Sequence, residues 1–218
     1  MRLILLRHGQ TESNIIGALD TAVPGAPLTD LGQRQAAAVP AAVDGQSVDA
    51  IFVSTLLRTQ QTAAQLAIIR KLQPTIADGL REITAGSLEM LSDHKSQGIY
   101  NATAYAWAKG DLDLRMPGGE NGHEFFTRFD QAIGTIRNAG AHVVAVSHGA
   151  AIRTWVAARC ANTGGSFAGD HQLDNTAAAY LIEEDGHWRL EDWHSTPLGG
   201  SGLNDARAAD PIGKGTES

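Results

Sequence analysis

Three short apolar runs in this chain each end in residues suited to holding an anion. Arg2 to Leu6 leads into Arg7-His8-Gly9, Ala50 to Ser54 is followed by Arg58 one helical turn later, and Val143 to Ser147 leads into His148-Gly149. Arginine offers a planar fork of donors that matches phosphate oxygens, and its charge stabilises a transferring phosphoryl group. A histidine beside two such cations is kept neutral, and a neutral imidazole nitrogen can attack phosphorus. The alkoxide that departs needs a proton from a carboxylic acid, for which Glu82 is the candidate. Asp78, Glu89 and Glu120 lie near the same stretch, and Glu89 is the alternative as structural partner or substitute.

The elements that must position these groups can be read from periodicity. The three runs read as buried strands, and Ala178 to Ile182 with Trp188 to Trp193, around a Glu-Asp-Gly turn, read as a hairpin closing one edge of the sheet. Helical patterns cover Thr29 to Ala42, Leu57 to Arg70, His123 to Asn138 and Ala150 to Cys160. Strands separated by helices of this length pair in parallel through right-handed crossovers, which predicts a sheet covered on both faces. In such a sheet ligands gather at the carboxyl ends of the strands, where all three anion-handling clusters fall. Gly9 and Gly149 there would let backbone approach a ligand closely. The stretch from Ile83 to Asn121 breaks the rhythm and contains Pro117-Gly118-Gly119, so a partly helical excursion, placed as a lid, is expected. Trp107, Tyr100 and Tyr105 lie in that excursion. From Gly199 to Ser218 the chain has few large apolar groups, and a disordered tail is expected after one domain of residues 1–198.

Composition narrows the partners. The 218 residues are 43% hydrophobic and 19% charged, enough apolar material for one sizeable core. With 17 basic against 24 acidic residues, no basic run tracks a nucleic acid or an anionic membrane, so neither is an expected partner. No apolar stretch is long enough to span a bilayer. Cys160 is the single cysteine, and with no leader read at the start of the sequence the expected location is cytoplasmic. His94, His123, His142, His171, His187 and His194 show no metal-ligand spacing, so surface or core roles are favoured and no metal or cofactor is expected.

The segment Leu6-Arg7-His8-Gly9-Gln10-Thr11 resembles the Arg-His-Gly signature of the histidine phosphatase superfamily, also called phosphoglycerate mutase-like. Ser54 to Ala63 is similar to the family's Ser-x-Leu-x-Arg-x-x-Gln-Thr-Ala helix start, and Leu80 to Glu89 to its proton-donor segment. Pro117-Gly118-Gly119-Glu120 and Ser147-His148-Gly149 complete the set in the same order. The resemblance spans roughly residues 1 to 196. It implies an α/β fold, a three-layer α/β/α sandwich with a mostly parallel central sheet, and metal-free chemistry through a phosphohistidine. By that resemblance His8 is the nucleophile, Arg7, Arg58 and His148 form the phosphoryl pocket, and Glu82 is the general acid. Asn14 and Thr11 stand where substrate contacts are added, and Gly149 offers a backbone donor. Gln10 replaces the commoner Glu, and Met90 stands where Gly is usual.

The expected activity is hydrolysis of a small phosphorylated metabolite. The alternatives are a cofactor-dependent phosphoglycerate mutase and a non-catalytic phospho-ligand binding protein on the same fold. A mutase must hold a second anion with extra cations, yet Ser96 to Ala108 contains neither Arg nor Lys. The natural substrate and the oligomeric state stay open.

Overall fold

The computed structural model describes residues 1–205, 208 and 210. Its centre is a six-stranded sheet in the order β3-β2-β4-β1-β5-β6. The strands are β1 (Arg2–Arg7), β2 (Ala50–Val53), β3 (Thr75–Ile76), β4 (His142–Ser147), β5 (Ala178–Glu184) and β6 (His187–His194). β1 to β4 pair in parallel, while β5 and β6 join antiparallel as the expected hairpin at one edge. Successive side chains of a strand point to opposite faces, so the continuous apolar runs mean that both faces are buried. Leu3 and Leu5 of β1 enter one core, Ile4 and Leu6 the other; β4 divides its Val143 and Ala145 from Val144 and Val146 in the same way.

Helices supply the two outer layers. α2 (Asp30–Ala42) and α3 (Leu57–Arg70) cover the smaller core, with Val39, Ala63 and Leu66 packed on Ile51 and Val53. Thr29 starts α2 by accepting the Gly32 N–H at 3.0 Å, as its capping pattern implies. α4 (His94–Ala108), α5 (Gly122–Arg137) and α6 (Gly149–Arg159) enclose the larger core. There Trp107, Phe125, Phe129 and Trp155 form a continuous aromatic file with successive centroids 5.7 Å apart. Removing a ring of this size from such a core costs about 3–5 kcal/mol.

Register brings the chemistry together. Arg7 pairs with Ser147, and both Leu6 and Val53 pair with Val146, so three strands end at one level. The His8 N–H continues the ladder onto the Ser147 carbonyl at 3.1 Å, and the Ser54 N–H reaches the Val146 carbonyl at 3.3 Å.

Several short elements escape the sequence reading. α1 (Glu12–Ile16), β3 and α7 (Phe167–Asp170) are each too brief to show a period. The 83–121 excursion contains the whole of α4, a 15-residue helix capped by Asp93 through the Ser96 N–H at 3.0 Å. Within the segment expected to be disordered, Ser201–Leu203 form a 3₁₀ turn whose Leu203 carbonyl accepts from Gln35 Nε2 at 2.8 Å. Residues 206, 207, 209 and 211–218 lie outside the described part. No helix among the described residues is long and apolar enough to cross a membrane.

Candidate active site

His8 follows the last residue of β1 and is only 3% exposed. Its Nδ1 lies 2.7 Å from the Gly9 carbonyl oxygen. A carbonyl only accepts, so Nδ1 carries the hydrogen and Nε2 of the neutral ring keeps its lone pair. Burial, then the charges of Arg58 and Arg7, hold the imidazolium well below the usual histidine range. The His148 ring stands 5.1 Å away, tilted by 59°, and the same causes keep it neutral: burial first, then Arg58. His148 Nε2 hydrogen-bonds Ser54 Oγ at 2.8 Å, which ties the end of β4 to the end of β2.

Arg58 lies in the first turn of α3, and its guanidinium is held by Asp20. Its Nη2 donates to the Asp20 carbonyl at 2.8 Å, and Asp20 Oδ2 sits 3.7 Å from Nη1. The carboxylate is itself held by Ser13 Oγ at 2.9 Å and the Ala26 N–H at 2.8 Å. Gly25, at φ +71°, passes so close that a Cβ there would come within 2.5 Å of Nη1. Arg58 Nε and Nη1 are buried and make no hydrogen bond among the described residues. Buried charged donors left over in this way suit an anion.

Glu82 is buried against the amino end of α6. One carboxyl oxygen accepts N–H groups from Ile83 at 2.9 Å and Ala151 at 2.8 Å, and the other accepts from Ala150 at 3.2 Å. Burial raises its pKa above the carboxylate norm, only partly opposed by these three donors and by Arg58. Arg128 of α5 grips the segment that carries it, donating to the carbonyls of Gly79 and Arg81 at 2.8 Å and of Glu82 at 3.0 Å. It also forms a two-pronged pair with Glu120, at 2.8 and 2.6 Å, and Glu120 in turn accepts the Thr84 N–H at 2.9 Å. Glu89 instead binds the Thr21 and Ala22 N–H groups at 2.8 and 2.9 Å and so braces the Asp20 loop.

Asn14 and Thr11 meet at the start of α1. Thr11 caps that helix, and its N–H and hydroxyl both donate to Asn14 Oδ1, at 2.9 and 3.1 Å. Asn14 Nδ2 is turned toward the same carboxylate that Arg7 holds, that of Asp210. Gly149 is the first residue of α6. Gly9 serves packing: a Cβ there would stand 2.7 Å from the Gly32 carbonyl oxygen of α2, so the close approach its sequence setting implied is to backbone. Gln10, neutral where a carboxylate is commoner, donates to Asp205 Oδ2 at 3.2 Å and to nothing catalytic.

Sequence reasoning passed over Asp20, Arg128, Arg153 and Asp210. Two carried a readable signal. Arg128 interrupts the apolar face formed by Phe125, Phe129 and Ala132, and Arg153 sits in the fully buried run of α6, its guanidinium 5.0 Å from the centroid of the Tyr105 ring. A cation inside an apolar stripe needs a partner or a ligand.

Two histidines, two arginines and a buried carboxyl thus gather at the ends of three strands, and the chain that carries them matches a known family. The histidine phosphatase superfamily (branch 1) matches residues 3–196. The chain belongs to that superfamily and is an enzyme of its type. It is 34% identical to the Mycobacterium tuberculosis PE-PGRS family protein PE_PGRS11 over 94% of its own length, but spans only 38% of that relative. It is 32% identical to "Probable phosphoglycerate mutase GpmB" of Photorhabdus laumondii, over 70% of this chain and 71% of the other. Among solved structures, the alpha-ribazole phosphatase of Shigella flexneri superposes with a TM-score of 0.71 at 26% identity, over 89% of this chain and 96% of that one. The α/β fold with a mostly parallel sheet expected from the sequence is the one observed, with β3 as a sixth strand beyond the five that the sequence shows.

Proposed function

We propose that this histidine phosphatase hydrolyses small phosphomonoesters through a phosphohistidine at His8. The observation that carries the reading is the state of the His8 ring: Nδ1–H is fixed on the Gly9 carbonyl, and burial, followed by the charges of Arg58 and Arg7, disfavours protonation of Nε2. Nε2 attacks phosphorus, forming the N–P bond as the P–O bond to the leaving group breaks. Arg58 and Arg7, with His148 and Asn14, hold the equatorial oxygens. Glu82, whose protonated form burial favours, delivers its proton to the departing oxygen. The resulting carboxylate then takes a proton from water, which attacks phosphohistidine and releases inorganic phosphate, restoring both residues.

Hydrolysis is favoured over mutase action because α4, whose Tyr100 hydroxyl donates to the Ile83 carbonyl next to Glu82, carries no arginine, and its single lysine, Lys95, lies in the exposed first turn. The phosphatase neighbour agrees with this reading. Substrates are small phosphorylated metabolites, bound by dianion recognition. A rapid-quench experiment with a labelled aryl phosphate tests the mechanism. An acid-labile, base-stable phosphoenzyme is expected in the full-length protein and none in His8→Ala; steady turnover by His8→Ala at the parent rate would refute it.

A further inference from the structure

Arg7 is already engaged as though an anion were bound. Its Nη1 and Nη2 donate in parallel to the two carboxyl oxygens of Asp210, at 2.7 and 2.8 Å. Asn14 Nδ2 donates to the same carboxylate at 3.2 Å. The Asp210 N–H donates to the Asn14 carbonyl at 3.0 Å, which anchors the residue on α1, and Asp210 is only 8% exposed. A two-nitrogen, two-oxygen fork is the geometry in which a guanidinium takes phosphate, so the carboxylate stands in for a pair of phosphoryl oxygens. The two arginines of one site thus differ. Arg7 gives both terminal nitrogens to the protein's own acid, whereas Arg58 Nη1 has an acid only at 3.7 Å, Asp20, and makes no hydrogen bond among the described residues; the Nε of each is likewise unbonded there.

Asp205, a further carboxylate five positions before Asp210, is met by a neutral amide: Gln10 Nε2 donates to it at 3.2 Å. A carboxylate at position 10 would repel Asp205, so the neutral side chain there is compatible with acid on this side of the pocket.

We propose that Asp210 is an internal competitor for the phosphoryl pocket: a substrate reaches Arg7 and Asn14 by exchanging for this carboxylate, and Asp210 thereby sets the enzyme's affinity for phosphorylated ligands. The inference rests on the assignment of Arg7 and Asn14 as phosphoryl ligands. Being on the same chain, the carboxylate acts at a high effective concentration, so the affinity of every external anion is multiplied by the fraction of molecules in which Arg7 is free. A phosphoryl dianion still displaces it, because it carries more charge than a carboxylate and engages Arg58 as well. The opposite role, a brace that aims Arg7 at the substrate, makes the contrary prediction.

The experiment is titration calorimetry of the full chain with inorganic phosphate, comparing the parent with Asp210→Ala and the isosteric Asp210→Asn. Both variants are expected to bind phosphate roughly tenfold tighter, with a matching fall in KM for an aryl phosphate. Should Asp210→Ala fail to fold, Asp210→Asn alone decides. Equal or weaker binding in the variants overturns the inference while leaving the pocket assignment standing, since the parent still binds phosphate. If neither parent nor variants bind phosphate or turn over the aryl ester, the pocket assignment itself fails and the inference falls with it.

Discussion

The carboxyl of Glu82 rests on the first turn of α6, its Oε1 accepting the Ala151 N–H at 2.8 Å. That contact places the acid at the positive end of a helix whose N-cap is His148, so one element carries both the donor's anchor and part of the pocket. The N–H groups favour the carboxylate that forms after proton donation, while burial favours the acid that precedes it. A group balanced between the two suits a residue that must act first as acid and then as base.

Glu82→Gln keeps the shape and removes the proton. For an alkyl phosphate, whose leaving oxygen needs protonation, kcat should fall by about 10²–10⁴. For p-nitrophenyl phosphate, which leaves readily as an anion, the loss in the first half-reaction should be far smaller. Burst kinetics on the two substrates separate the cases, and equal losses on both would move the acid to another residue.

The pH profile follows from the same two groups. Activity needs neutral His8 and protonated Glu82; the first pKa is depressed well below 6.5 and the second raised above 4.5. The expected kcat/KM curve for an alkyl phosphate is therefore a bell whose acid limb lies below the ordinary histidine range and whose basic limb lies above the ordinary glutamate range. Glu82→Gln should lose the basic limb, measured as kcat/KM across the pH range. A basic limb unchanged in this variant would assign it to a different group.

Much of this arrangement was visible in the sequence because it depends on strand ends. Runs such as RLILL and VVAVS are long enough to declare themselves, and the residues that follow them inherit a place at the sheet's carboxyl edge. His8, Arg7, Arg58 and His148 could be proposed for that reason, and Glu82 as the carboxylic acid the chemistry needs, in a segment that resembles the family's proton-donor segment. What holds them could not. Asp20 reaches Arg58 across 38 positions, and Asp210 reaches Arg7 across 203, through side-chain contacts that leave no periodic trace. Arg128 acts on three backbone carbonyls, and an acceptor of that kind has no residue type to read. Gly9 was legible as a required glycine, but its reason, the α2 backbone, was not.

Folding stability should also respond to pH through the buried histidines. His148 is held neutral in the folded state with its pKa well below 6.5, whereas the unfolded chain titrates near that value. Its contribution is full above about pH 6.5 and declines as pH falls toward the folded pKa, by about 1.4 kcal/mol per pH unit. Glu82, with a raised folded pKa, acts in the opposite sense, its contribution full in acid and lost as pH rises through that value. Urea unfolding at about pH 7.5 and 5.5 should show a smaller drop in His148→Asn than in the parent. An identical drop would mean that this imidazole charges freely in the folded protein.

Gly9→Ala tests whether the loop after β1 tolerates any displacement. The new Cβ would lie 2.7 Å from the Gly32 carbonyl oxygen, and backbone at the start of α2 cannot swing aside as a side chain can. Relief requires separating His8-Gly9 from α2, which stretches the Gly9 N–H bond to Thr62 Oγ1, 2.9 Å long in the parent. The expected cost is about 1–3 kcal/mol in stability. Because the Gly9 carbonyl also fixes His8 Nδ1, the ring should lose its set tautomer and kcat should fall by at least tenfold. Gly32→Ala offers the comparison, since its Cβ would meet the Gln10 carbonyl at 2.2 Å from the other side without touching the His8 contact directly. It should destabilise at least as much but reduce kcat less. If both variants lose activity only in proportion to their loss of folded protein, the Gly9 carbonyl has no part in orienting the nucleophile.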